Sequence, residues 1–159
     1  MDNNISAGPK VFISYSWSDP DHEAWVITFA EELASQGAHP ILDKWDLQPG
    51  HDANSFMESM VTDPGVTKVI LICDKQYVEK SNSRAGGVGA EAQIITPGLY
   101  AKRDQDKFVA VVRERDGEGK AILPVYYGGR IYNDLTNPST YSAEFERLLR
   151  WIYDKPLYV

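Results

Sequence analysis

Three short runs constrain this chain more than any other feature: KVFIS (10–14), TKVILIC (67–73) and KFVAVVR (107–113). Each is rich in β-branched or aromatic residues and lacks polar–apolar alternation. A strand with one wet face alternates, whereas a strand covered on both faces does not. Burial on both faces calls for a sheet sandwiched between helices, and the intervening stretches supply them. In PDHEAWVITFAEELASQG, Val26, Phe29, Ala30 and Leu33 recur at helical spacing. Asp19 fits as N-cap, Pro20 as first helical residue and Gly37 as stop. SAEFERLLRWIYD carries the same spacing in Phe145, Leu148, Leu149 and Ile152, and ANSFMESMV reads as a short helix. HPILD (39–43) and RIYND read as further short strands, and KWDLQPGHD as a loop turning at Pro49-Gly50. After a glycine-rich segment a helix of about three turns is expected, bent or ended by Pro97-Gly98. Strands alternating with helices predict an α/β fold: a doubly wound, flavodoxin-like parallel sheet of five strands with helices on both faces.

A chain of 159 residues is long enough for one domain with a sizeable core. The domain is expected over 10–153, with 1–9 as an N-terminal extension and 154–159 as the start of a linker to a further domain. The net charge of −7 leaves no basic surface for nucleic acid or an anionic membrane. Cys73 is the single cysteine, so no internal disulfide forms, and its place at the end of an apolar run reads as packing. His22, His39 and His51 have no metal-ligand spacing with Cys73, so no metal is expected. There is no secretory signal pattern and no apolar run near the ~20 residues of a membrane span, so a cytoplasmic location is expected.

In an open parallel sheet, ligands bind beyond the carboxyl ends of the strands. Those ends carry SYSWSD, DKWDLQPGHD, CDKQYVEKSNSRAGGVGAE and RERDGEG. The first three hold Tyr15, Trp17 and Trp45 as flat faces, the hydroxyls of Ser14 and Ser16, and the acids Asp43, Asp46 and Glu91. A loop tryptophan reads equally as a lid on the core edge. Glu91 follows the glycines and, on a helix, shares a face with Ile94 and Ile95. That placement puts a partly desolvated carboxylate on the cleft wall; the plainer reading is an acid complementing a helix dipole. GGVG lacks the Gly-Lys-Ser/Thr ending of a phosphate loop, and no Gly-x-Ser-x-Gly elbow occurs.

These segments together resemble a known family. KVFISYSWSD followed by an amphipathic helix resembles the opening motif of TIR domains. ILDKWDLQPGHD resembles their BB loop, and VILICDKQYVEKSNSRAGGVGAEAQII their third strand and the segment after it. The likeness spans about residues 9 to 153 and is similar to the bacterial TIR and SEFIR-like variants. It implies cleavage of NAD+ as substrate, with no added cofactor, and a catalytic glutamate at Glu91. It implies a substrate cleft at Ser14, Tyr15, Ser16, Trp17, Asp43, Trp45 and Arg84. It implies self-association, with filaments, through a loop here formed by Leu47, Pro49 and Gly50, and a sensor domain in the full-length chain. Many NAD-cleaving members carry an aromatic residue one turn before the glutamate, where this chain has Gly87.

The chemistry suits one carboxylate. Nicotinamide in NAD+ is already cationic and leaves neutral, so no general acid is needed, unlike ordinary glycosides with two carboxylates. A desolvated carboxylate stabilises an oxocarbenium-like ribose electrostatically or attacks its anomeric carbon. Hydrolysis gives ADP-ribose; attack by the adenine gives a cyclic product. Two other functions fit the pattern: a non-enzymatic TIR–TIR adaptor, and a nucleoside deoxyribosyltransferase-like enzyme. A phospho-receiver domain is disfavoured, because the first strand ends SYSWSD without an acidic pair.

Overall fold

The computed structural model describes residues 8–83 and 94–155. Its strands are β1 (Lys10–Ser14), β2 (His39–Ile41), β3 (Val66–Cys73), β4 (Phe108–Val112) and β5 (Asn133–Asp134). They form one sheet in the order β2-β1-β3-β4-β5, and every pairing is parallel. The helices are α1 (Pro20–Ser35), α2 (Asp43–Asp46), α3 (Ala53–Thr62), α4 (Lys75–Ser83), α5 (Pro97–Ala101) and α6 (Tyr141–Ile152). This is the doubly wound α/β architecture expected from the apolar runs.

The missing alternation in those runs has a direct cause: each face of the sheet has its own core. Val11, Ile13, Ile70, Ile72, Val109 and Val111 pack on one side with Val26, Phe29 and Leu33 of α1 and Phe145, Leu148 and Ile152 of α6. Phe12, Val69, Leu71, Cys73, Phe108 and Ala110 face the other side, with Met57 and Val61 of α3 and Tyr77 of α4. Successive side chains leave a strand on opposite faces, so two-sided cover selects apolar residues at every position. Each fully buried Val, Leu, Ile or Phe contributes about 1.5–3 kcal/mol.

The ends of α1 follow from its sequence. Asp19 accepts from the His22 amide at 2.8 Å, and Pro20 begins the helix. Gly37 follows at φ 93°, a left-handed conformation that costs a residue with a Cβ.

Four local expectations need correction, the simplest being the last strand, which covers only Asn133–Asp134 of RIYND. Strand β2 stops at Ile41, and Asp43–Asp46 forms the short helix α2. Its start is held by the Asp46 carboxylate, which accepts from the Leu42 amide at 3.0 Å. The stretch after Cys73, read as loop, is helix α4 over Lys75–Ser83, with Asp74 Oδ1 accepting from the Tyr77 amide at 2.9 Å. Finally, residues 94–96 are not helical, so the helical spacing that set Ile94 and Ile95 on one face with Glu91 does not apply to the two isoleucines, and Pro97 begins a helix instead of ending one. A residue before proline is pushed toward extended backbone, which Thr96 adopts, and its hydroxyl accepts from the Leu99 amide at 3.2 Å.

Candidate functional site at the carboxyl edge of the sheet

Chain direction across the sheet reverses at β1. Its outgoing helix α1 leads to β2 on one side, while β3 lies on the other. The crevice above β1 and β3 is therefore the switch point where such sheets bind ligands.

The segment leaving β1 is organised by alternation. Ser14, Ser16 and Ser18 all turn toward the start of α4. Ser14 Oγ lies 2.8 Å from Tyr77 Oη, Ser16 Oγ donates to Gln76 Oε1 at 2.8 Å, and Ser18 Oγ donates to Asp74 Oδ2. Tyr15 and Trp17 turn the other way and converge on Asp43. Tyr15 Oη donates to Oδ1 at 2.6 Å, and Trp17 Nε1 donates to Oδ2 at 2.8 Å. The Lys44 amide adds a third donor, to Oδ1 at 2.8 Å. Period-two geometry thus ties the β1 exit to the β3 exit with one set of residues and to the β2 exit with the other.

Ser14, Tyr15, Ser16 and Asp43 are all buried. Burial, reinforced by the Asp43 hydrogen bond and charge, raises the Tyr15 phenol well above its ordinary range, so it stays a neutral donor. The carboxylate of Asp43 accepts on both oxygens from within the protein. These residues hold the exits of β1, β2 and β3 together beneath the switch point. Trp17 is half-buried against the core, with Lys44 Nζ 5.7 Å from its ring centroid. Trp45 keeps 42% of its surface exposed, the one large exposed aromatic face at this edge among the described residues. Leu47 is half-buried, while Pro49 and Gly50 are exposed in a turn where Gly50 has φ 91°. Arg84 and Glu91 lie outside the described residues, as do Gly87 and the glycine run.

Sequence reasoning missed Tyr77 and Tyr126. Tyr77 is buried in the first turn of α4. Its hydroxyl meets Ser14 and also accepts from the Ile95 amide at 3.2 Å. Tyr126 Oη donates to the Ile95 carbonyl at 2.9 Å. Both backbone groups of Ile95, buried in non-helical chain, are thereby satisfied by tyrosine hydroxyls. An aspartate directly after an apolar strand and before KQYVEK was the available signal for this helix.

A serine, an aspartate and a histidine also gather here without forming a catalytic triad. His22 Nε2 stands 3.7 Å from Asp74 Oδ2 and makes no hydrogen bond, while Ser18 donates to Asp74 itself. Burial pushes the His22 pKa down, against the pull of Asp74, which keeps the imidazole neutral at pH 7. Burial drives the Cys73 thiol far up, so it is not a nucleophile. Among the described residues, no cluster of three or more His, Cys, Asp or Glu side chains is placed to hold a metal ion.

Comparison with known proteins agrees with this geometry. A family model described as TIR domain matches residues 11–149. The crystal structure of a prokaryotic SEFIR domain is 39% identical, covers 96% of this chain and 97% of its own, and superposes with TM-score 0.82. The TIR domain of the Toll-related receptor TRR-2 from Hydra magnipapillata is 16% identical, covers 90% of this chain and 97% of its own, and superposes with TM-score 0.60. No curated protein matches.

Proposed function

The chain belongs to the TIR-domain family, whose members include NAD+-cleaving enzymes and adaptors, and from that premise we propose that it is an NAD+ nucleosidase with Glu91 as its catalytic carboxylate. It cleaves the nicotinamide–ribose bond to release nicotinamide and ADP-ribose or a cyclic ADP-ribose, and self-assembly activates it. One observation carries this reading. Ile95 is fastened by Tyr77 over the exit of β1, and Glu91 lies four residues before it in the chain. A four-residue tether spans at most ~14 Å, and this nearness in sequence is what supports Glu91 as the carboxylate of the switch point.

The described residues support a one-carboxylate mechanism. Asp43 and Asp74, the buried acids at this edge among the described residues, both accept hydrogen bonds from neighbouring groups. Glu91 then stabilises the positive charge that grows on the ribose as neutral nicotinamide departs. Trp45 offers an exposed face for stacking. In this reading NAD+ is the substrate, with no cofactor, and TIR–TIR contacts through Leu47, Pro49 and Gly50 bring the domains together. The biological setting that follows from the family is bacterial immune signalling, of the anti-phage kind, by NAD+ depletion.

The exposed Trp45 and Pro49 fit a second reading, a TIR–TIR adaptor without catalysis. Glu91→Gln separates the two. It is expected to lower nicotinamide release by about 100-fold or more, with melting temperature unchanged. Wild-type turnover in that variant would remove Glu91 from the mechanism.

A further inference from the structure

At the same edge of the sheet, toward β4 and β5, a cavity of about 500 Å³ opens between α1, the exits of β4 and β5, and the start of α6. That is within the size range of small-molecule sites. Arg113, the residue after β4, lines it. Its place is fixed twice: its amide donates to the Cys73 carbonyl at 2.9 Å, and its guanidinium lies 4.8 Å from the ring centroid of Trp25. The indole of Trp25 stacks in turn on Phe29, with centroids 5.4 Å apart.

Among the described residues no carboxylate pairs directly with Arg113. Arg115, Arg130, Arg147 and Arg150 each meet a carboxylate. Half-buried Arg113 has no ion pair among the described residues, and its Nε is buried without a hydrogen-bond partner. A guanidinium held over an indole face still has N–H donors to offer a planar or tetrahedral oxyanion. Ser142 also lines the cavity, in the first turn of α6, a helix of twelve residues whose N-cap, Thr140, makes no side-chain cap. Leu135, Pro138 and the Tyr141 ring give apolar walls.

The nearby acids are already answered. Asp134 pairs with Arg115 and accepts from Thr136; Glu144 turns back to Arg147 and the Asp134 amide; Glu32 accepts from Tyr141; Glu114 accepts from the Lys75 amide, and Asp74 from Ser18 and the Tyr77 amide. We infer that this cavity binds a small organic anion, a phosphate or carboxylate on a flat apolar body, with Arg113 as the charge partner and Trp25 as its support. The inference does not depend on NAD+ cleavage.

Calorimetric titration of the whole chain at low ionic strength tests this, with phenyl phosphate, benzoate and neutral benzyl alcohol as probes. At least one anion is expected to bind about tenfold or more tightly than the alcohol, and whichever does so identifies the oxyanion. Arg113→Gln and Ser142→Glu should each weaken that binding about tenfold or more. Ser142→Glu keeps the test secure if Arg113→Gln fails to fold, since Ser142 is exposed and an acid suits the first turn of a helix. Anions binding no better than the alcohol, or binding that both folded variants retain, would overturn the assignment.

Discussion

Asp43 accepts from Tyr15, Trp17 and the Lys44 amide, so removing its carboxylate strands donors in a buried setting. Asp43→Ala is therefore expected to lower unfolding free energy by about 3 kcal/mol in urea titration, and Tyr15→Phe by about 1 kcal/mol. An effect near zero for Asp43→Ala would mean that this carboxylate does not hold the edge together. His22 gives a pH signature. Its folded-state pKa is depressed by burial, so the unfolded chain binds the proton more readily. Its contribution is fully present above the ordinary histidine value of about 6.5 and is lost as pH falls below it. The melting temperature should drop between pH 7 and pH 5, and His22→Gln should flatten that drop. The hydrogen-bond pairings at this edge could not be read from the sequence. Ser14 and Tyr77 are 63 positions apart, and Tyr15 and Asp43 are 28 apart. The residue types at the site were legible; the pairings depend on which strands become neighbours.

Whole elements were easier to read where one local rule acts alone. The strands carry unbroken apolar runs because both faces of the sheet are covered, and α1 begins at Asp19-Pro20 and stops at Gly37. Helix α4 escaped notice because KQYVEKSNS is polar apart from Tyr77 and Val78, leaving little periodic signal. At Pro97 two rules competed, proline as helix breaker and proline as first helical residue, and the Thr96 hydroxyl decides for the second. The contrast between glycines tests this reading. Gly37→Ala forces a Cβ into a left-handed conformation, 2.8 Å from Tyr153 Oη. It should cost about 1–2 kcal/mol. Gly98, inside α5 with open space around it, should gain up to about 1 kcal/mol as alanine. Equal shifts in thermal melts of the two variants would contradict the assigned geometry.

At the scale of the molecule, the sheet brings the exits of β1, β2 and β3 together, and the proposed chemistry depends on that convergence. No helix among the described residues is long and apolar enough to cross a membrane. Assembly is expected to use the exposed turn beyond α2. Substitutions of Leu47, Pro49 or Gly50 by charged residues should reduce self-association in light scattering before they lower the melting temperature. Unchanged association would shift the contact to another face. The central claim is tested most directly by following nicotinamide release from NAD+ across a rising concentration of the purified chain, with Glu91→Ala beside it. Release per protomer that climbs with concentration in the wild type, and stays at background in the variant, is the expected result. No release from the wild type at any concentration, or equal release from both proteins, would contradict it.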